Sequence, residues 1–139
     1  MTVDPSAPPT GHLSYAQTLP CEKASVLAAR RLVRRALAAL DLENLTEDSS
    51  LIVSELATNA VQHARSRHMH VTVSRPTPEW VRVSVTDKSR TMPDPRAASD
   101  GDTGGRGLAV VDSLSDRWGT DRLPWGKRVW AEWRTDVKR

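Results

Sequence analysis

Cysteine, phenylalanine and long apolar runs are scarce or missing in this chain. Its 139 residues include one cysteine, Cys21, and no phenylalanine. A single cysteine excludes an internal disulfide, and with it a small secreted fold held by disulfides. No apolar run reaches the roughly eighteen residues of a membrane span, and the N-terminus lacks the basic start and apolar stretch of a signal peptide. We therefore expect a cytoplasmic protein.

The charged residues are nearly balanced in sign. The chain has 20 Lys and Arg against 17 Asp and Glu, so its net charge is only +3. The electrostatic field of so small a net charge does not favour nucleic acid as a partner. The length suits one hydrophobic core. We predict a single domain over 12–139, preceded by a flexible tail over 1–11 that is rich in Pro, Ser, Thr and Gly.

The spacing of apolar residues predicts three helices and five strands. The predicted order is a strand over 12–19, helices over 22–40 and 46–64, strands over 69–75 and 80–87, a helix over 105–116, and strands near 118–123 and 127–135. This order predicts an α+β fold, with helices on one face of a mixed, mainly antiparallel sheet. Because there is no phenylalanine, the five tryptophans are predicted to fill the core.

Polar residues interrupt the second predicted helix at helical spacing. Glu55, Asn59 and His63 form a row beside the apolar stripe instead of opposite it. A carboxylate and an amide placed there suit a metal ion, because both supply oxygen ligands. The alternative is that both side chains lie at the solvent margin and bind nothing.

The strand over 80–87 ends in a carboxylate that alternation directs inward. Asp87 is in phase with Val81, Val83 and Val85, which are predicted to face the core. A buried carboxylate needs a hydrogen-bond donor. The amino group of a purine is a suitable donor, and backbone amides of the following loop are the structural alternative.

A glycine cluster precedes the third predicted helix. The cluster comprises Gly101, Gly104, Gly105 and Gly107, with Arg106 and Leu108 beside them. Exposed amides at the positive end of a helix receive phosphate oxygens, and Arg106 adds a charge-assisted contact. Neither the dinucleotide-binding nor the P-loop glycine pattern is present. A merely flexible loop remains the alternative.

Two further groups give weaker hypotheses. His68 and His70 share one strand face, but no cysteine lies near them in sequence for a zinc site. Arg30, Arg31, Arg34 and Arg35 form a basic flank of the first helix. This flank leaves a small nucleic-acid-binding domain as one alternative, although such a run is more often a solvated helix face.

Taken in order, these motifs resemble those of a known superfamily. The segment Glu55–His63, then Asp87, then Gly104–Leu108 resembles the N box and the two glycine boxes of the histidine-kinase-like (GHKL) ATPases. The segments Ala29–Arg31, Ser54–Asn59 and Gly126–Ala131 are most similar to the anti-sigma-factor serine/threonine kinases. The resemblance implies a two-layer α/β sandwich of the Bergerat type and an ATP-dependent protein kinase.

The resemblance also implies roles for individual residues. Asn59 would bind Mg²⁺ that bridges the phosphates of ATP, and Glu55 would be the catalytic base. Asp87 would bond the adenine amino group, while Gly104, Gly105, Arg106, Gly107 and Leu108 would hold phosphates, with His63 beside them. The implied partners are a sigma factor and a STAS-type anti-anti-sigma protein, which is the phosphoacceptor. A homodimer is implied too, and no direct contact with nucleic acid or membrane is expected.

Two positions depart from the superfamily pattern. Asp87 is followed by Lys88-Ser89-Arg90, without the two glycines that commonly follow this aspartate. Arg128 stands where many relatives have threonine, which predicts that a contact near the adenine is lost or replaced. A regulatory module that binds ATP without catalysis, and acts by protein contact alone, is therefore the main alternative to a kinase.

Overall fold

A computed structural model describes residues 14–63, 67–88 and 103–136, and of residues 103–107 it describes the backbone alone. The predicted tail over 1–11 and most of the predicted loop before the third helix lie outside the described residues. The elements are β1 (Ser14–Pro20), α1 (Ala24–Ala39), a 3₁₀ turn (Glu43–Leu45), α2 (Thr46–His63), β2 (His68–Thr77), β3 (Trp80–Asp87), α3 (Thr103–Leu114), β4 (Arg117–Leu123) and β5 (Gly126–Arg134).

The five strands form one sheet in the order β1-β2-β3-β5-β4. All four described ladders are antiparallel. The α+β prediction is confirmed, and helices cover one face of this sheet: α1 packs against β1 and β2, and α2 against β3. Alternate strand residues, valines above all, enter the core beneath the helices.

Helix α1 presents its apolar stripe to the sheet and its arginines to solvent. Leu32, Val33 and Leu37 are buried, whereas the four arginines of the basic flank are exposed. The helix ends because Asp41 adopts a left-handed conformation, with φ of 58°. The amide of Leu42 then donates to the carbonyl of Leu37 at 2.8 Å, which is the bond of a Schellman motif.

Most predicted elements differ from the structure by one or two residues at an end, and three of the differences bear on a cap, a turn and the glycine cluster. Thr46, predicted as an N-cap, is the first residue of α2, because the 3₁₀ turn runs directly into that helix. The predicted turn over 76–78 is shorter, since β2 continues to Thr77. Helix α3 begins at Thr103, two residues before its predicted start.

The prediction that the tryptophans fill the core is right for Trp133, which is fully buried, and wrong for most of the others. Trp118 lies at the margin of the core, and Trp125 is 55% exposed. Trp80 lies opposite Arg134 in the β3–β5 ladder, and Trp130 lies opposite Ser84. Both rings are on the sheet face that the helices do not cover. Strand alternation, rather than hydrophobicity, decides where these rings lie.

An ion-pair cluster covers this outer face. It consists of Trp80, Arg82, Arg117, Trp130 and Glu132, and we call it the outer-face cluster. Glu132 is only 1% exposed and accepts bonds from Arg82 at 2.7 Å and from Arg117. Arg117 stacks 3.7 Å from the Trp80 ring and Arg82 lies 4.8 Å from the Trp130 ring. The arginines thus satisfy the carboxylate, and the rings shield it from water.

We predict that Glu132→Ala lowers the free energy of unfolding by about 1–3 kcal/mol, because two arginines lose a buried acceptor but reach solvent. Urea denaturation measures the loss. Asp136→Ala is the matched control, because its pair with Arg134 is solvent-exposed at both ends. That control should have much less effect, and equal losses for the two variants would contradict the importance of Glu132.

Candidate functional site

Three polar residues of α2 lie on one margin of its buried stripe. Glu55 and Asn59, one turn apart, are both partly buried, and His63 is exposed at the end of the helix. The buried stripe itself includes Ile52, Leu56 and Ala60. The predicted row therefore exists, and its first two members lie between core and solvent. A ligand at this margin has access to both a carboxylate and an amide.

Asp87 ends β3 on the helix-covered face. It is 3% exposed and follows Val81, Val83 and Val85, which are buried on the same face. The inward direction predicted from alternation is thus confirmed. Since α2 packs against both β3 and α3, the same helix joins the strand that ends in Asp87 to the glycine-containing helix.

The β5 strand approaches the end of β3 very closely at Gly126. A Cβ atom at this position would overlap the carbonyl oxygen of Asp87 and lie 2.8 Å from the Cα atom of Lys88. Both obstacles are backbone, so neither can rotate away. Glycine at 126 is therefore required for the backbone of Asp87 to occupy its place, a requirement that the sequence motifs did not reveal.

A buried lysine lies beside this aspartate. Lys127 is 4% exposed, and the β3–β5 register places it directly opposite Asp87. Sequence reasoning missed this residue and considered Arg128 instead. Arg128 lies on the outer face, where it pairs with Asp121 at 2.9 Å. The alternation of Lys127 with Val129, Ala131 and Trp133 was the signal that identifies the inward residue.

The glycine cluster opens α3 instead of preceding it. Gly104, Gly105, Arg106 and Gly107 all lie within the first two turns of the helix, and Leu108 is buried at 2% exposure. Gly101 lies outside the described residues. The first four amides of a helix have no intrahelical acceptor, and the helix dipole makes this end positive. A helix start of this kind suits an anion, and the phosphate contact that the glycine pattern predicts stays a prediction.

A separate surface depression of about 480 Å³ lies between α1 and the first turns of α2. Its lining includes Arg30 and Arg34, but also Glu43 and Glu47. The acidic side chains reduce the attraction that the basic flank exerts on a polyanion. This mixed charge does not strengthen the nucleic-acid hypothesis, which remains a hypothesis.

Comparison with known proteins identifies the family. Residues 19–133 match the sequence profile described as "Histidine kinase-like ATPase domain". The chain belongs to this family. A solved histidine kinase domain, from the blue-light activated histidine kinase of Erythrobacter litoralis EL346, is similar in fold, with 23% identity and a TM-score of 0.52. The alignment covers 84% of this chain but only 62% of that one. No curated protein shows significant similarity.

Family membership implies that the domain binds ATP, and the residues present fit such a ligand. A buried carboxylate such as Asp87 can accept a bond from a base, and a helix start such as that of α3 can offer amides to phosphates. Among the described residues no group of three or more His, Cys, Asp or Glu is arranged to hold a metal. Magnesium binds through one or two protein oxygens together with substrate phosphates, so the Asn59 amide suits an ion that arrives with its nucleotide.

None of the described helices is both long enough and apolar enough to cross a bilayer.

We predict that Gly126→Ala destabilises the protein by about 1–3 kcal/mol, because the β3 and β5 backbones must separate to admit the methyl group. Urea denaturation measures the loss, and amide exchange at the end of β3 should increase. Gly119→Ala is the matched control in the same sheet, where the nearest obstacle is the side-chain ring of Trp130 at 2.6 Å. That ring can shift, so a loss as large as at Gly126 would refute the backbone explanation.

Proposed function

We propose that this protein is an ATP-dependent serine/threonine kinase that phosphorylates a STAS-type anti-anti-sigma protein and also binds a sigma factor. The observation that carries the proposal is the arrangement around α2. One helix bears Glu55 and Asn59 on a partly buried margin and packs against both β3, which ends in Asp87, and α3, which opens with the glycine cluster. A base, a cation ligand, a purine acceptor and a phosphate cradle are thereby carried by neighbouring elements.

The purine end of the proposed site is Asp87. Its carboxylate is buried at the end of β3 and accepts a hydrogen bond from the amino group of adenine. Because electrostatic attraction is less screened in a site away from water, this contact is stronger than the same bond at an exposed position. Because Gly126 has no side chain, β5 can approach the backbone of Asp87 as closely as this position of the carboxylate requires.

The phosphate end lies between α2 and α3. The free amides at the start of α3, within residues 103–106, and the positive end of this helix bind phosphate oxygens, and Arg106 in the same turn and His63 at the end of α2 are candidates for further contacts. The amide oxygen of Asn59 would hold Mg²⁺, and the ion when bound would neutralise phosphate charge. Phosphoryl transfer depends mainly on positioning and charge neutralisation, so few protein groups suffice.

Glu55 is the proposed catalytic base. It lies one turn before Asn59 on the same margin, so a group that reaches the metal-bound phosphates also passes the Glu55 carboxylate. That carboxylate accepts the proton from the Oγ atom of the incoming serine or threonine. General-base assistance of this kind contributes about 10²–10⁴ in rate.

The partners are proposed on the resemblance alone. The segments Ser54–Asn59 and Gly126–Ala131 are those that resemble the anti-sigma kinases. From that resemblance we propose a homodimer that works in the cytoplasm, exchanges a sigma factor for the phosphoacceptor, and touches neither nucleic acid nor membrane directly. A protein that binds ATP but transfers no phosphate would instead be a regulatory module that acts by contact.

We predict that Mg-ATP raises the melting temperature of the wild-type protein, since a ligand at 100 times its dissociation constant stabilises the native state by about 2.7 kcal/mol. Omitting magnesium should reduce this shift. In Asn59→Ala the remaining shift should no longer depend on magnesium, whereas Asn44→Ala, which removes an exposed Asn before α2, should behave as wild type. A thermal shift assay measures the melting temperatures of the wild type and both variants with ATP, in the presence and absence of magnesium. If magnesium still changes the shift in Asn59→Ala, Asn59 is not the metal ligand.

We predict that Glu55→Gln lowers phosphate transfer to the STAS protein by about 10²–10⁴ while Mg-ATP binding persists. Transfer from γ-labelled ATP measures the rate, and calorimetry measures binding. Glu47→Gln, which changes an exposed carboxylate in the first turn of the same helix, is the matched control. If Glu55→Gln transfers phosphate at the wild-type rate, Glu55 is not the base; if wild type binds ATP and never transfers phosphate, the protein is a binding module.

A further inference from the structure

The proposed function leaves one buried charge in the site without a role. Lys127 is 4% exposed and lies opposite Asp87, itself 3% exposed, at the end of the β3–β5 ladder. Directly opposed side chains in an antiparallel pair have Cβ atoms about 4.5–5.5 Å apart. The four-carbon stem of lysine therefore brings its ammonium within reach of the carboxylate.

Burial makes each of these charges depend on the other. An isolated buried ion is costly, and the cost falls when an opposite charge lies beside it. Without a neighbouring cation, burial raises the pKa of a carboxyl group towards neutrality. An ammonium group beside the carboxylate offsets this cost and favours its ionised form.

The ionisation of Asp87 decides which purine it accepts. A carboxylate only accepts hydrogen bonds, whereas a protonated carboxyl group also donates one. Adenine offers an amino donor at C6, but hypoxanthine offers an oxo acceptor at the same place. An ionised Asp87 attracts the first and repels the second.

We propose that Lys127 is a positioning residue that acts through Asp87 and makes the site select 6-aminopurine over 6-oxopurine nucleotides. This inference depends on the proposed adenine contact of Asp87. It adds that the base preference is determined by a pair of residues on two strands, and that the lysine of this pair need not touch the nucleotide.

Calorimetric titration with Mg-ATP and with the magnesium complex of inosine triphosphate tests the proposal. Wild type should prefer ATP. In Lys127→Met the affinity for ATP should fall about tenfold or more, as expected for a lost hydrogen bond to a charged group, while the affinity for inosine triphosphate should stay constant or rise. Arg128→Met is the matched control, because the Arg128 side chain points to the outer face and pairs with Asp121. This variant should keep the wild-type ratio of the affinity for ATP to that for inosine triphosphate.

The pH dependence separates this role from a structural one. Several other ionisable groups lie on elements packed against β3 or beside Asp87, namely Glu55, His63, His68 and Lys88. Only Asp87 is proposed to contact the C6 substituent in which the two bases differ, so the ratio of the two affinities isolates its titration from theirs. In wild type this ratio should be constant between about pH 6 and 8. In Lys127→Met it should be low at pH 6 and recover as the pH rises and Asp87 loses its proton.

Further variants keep the test decisive. Lys127→Gln has nearly the same reach and no charge, so it should lower the ratio as Lys127→Met does. In Asp87→Asn, adding Lys127→Met should change the ratio no further, because the lysine acts through the aspartate. If the Lys127 variants fail to fold, the wild-type ratio still decides, since a fall towards pH 6 would overturn the inference.

Two failures are distinguishable. If wild type binds neither nucleotide, the proposed function falls. If wild type binds ATP and Lys127→Met keeps both the wild-type ratio and its pH profile, the inference alone falls, and Lys127 is a structural residue.

Discussion

The pairing of β3 with β5 is the constraint on which the candidate site depends. At the end of this ladder, Lys127 lies directly opposite Asp87, and Gly126 lies in close contact with the backbone of Asp87. In an antiparallel ladder, a shift of the register by one residue moves every side chain of the shifted strand to the other face of the sheet. Such a shift would turn Lys127 outward and bring Arg128 under the helices, so the register determines which charge accompanies the aspartate.

The same pairing separates two buried acids with different surroundings. Glu132, on the outer face, is satisfied by Arg82 and Arg117 and shielded by tryptophan rings. Asp87, on the inner face, lies at the end of β3, the strand against which α2 packs. Burial demands compensation in both cases. On the outer face two arginines and two tryptophan rings provide it, and on the inner face the register sets the buried Lys127 opposite the aspartate.

Much of the fold followed from sequence because the responsible patterns are local. The period of apolar residues located α1 and α2, and alternation directed Asp87 inward, as the structure confirms. Trp80 and Trp130 were assigned to the core wrongly, since an aromatic residue in a strand is compatible with either face. Their neighbours in the same phase, Arg82 and Glu132, were the evidence that this face lies away from the helices.

The sequence by itself determined the candidate residues: the Glu55–Asn59 spacing on one helix, an inward aspartate and a glycine-rich helix start. Each of these depends on positions a few residues apart along one element. Only the tertiary structure decided which of them are neighbours, because strand pairing joins residues forty positions apart through backbone hydrogen bonds that side-chain patterns do not specify. The role of Gly126 and the burial of Lys127 beside Asp87 belong to that second kind.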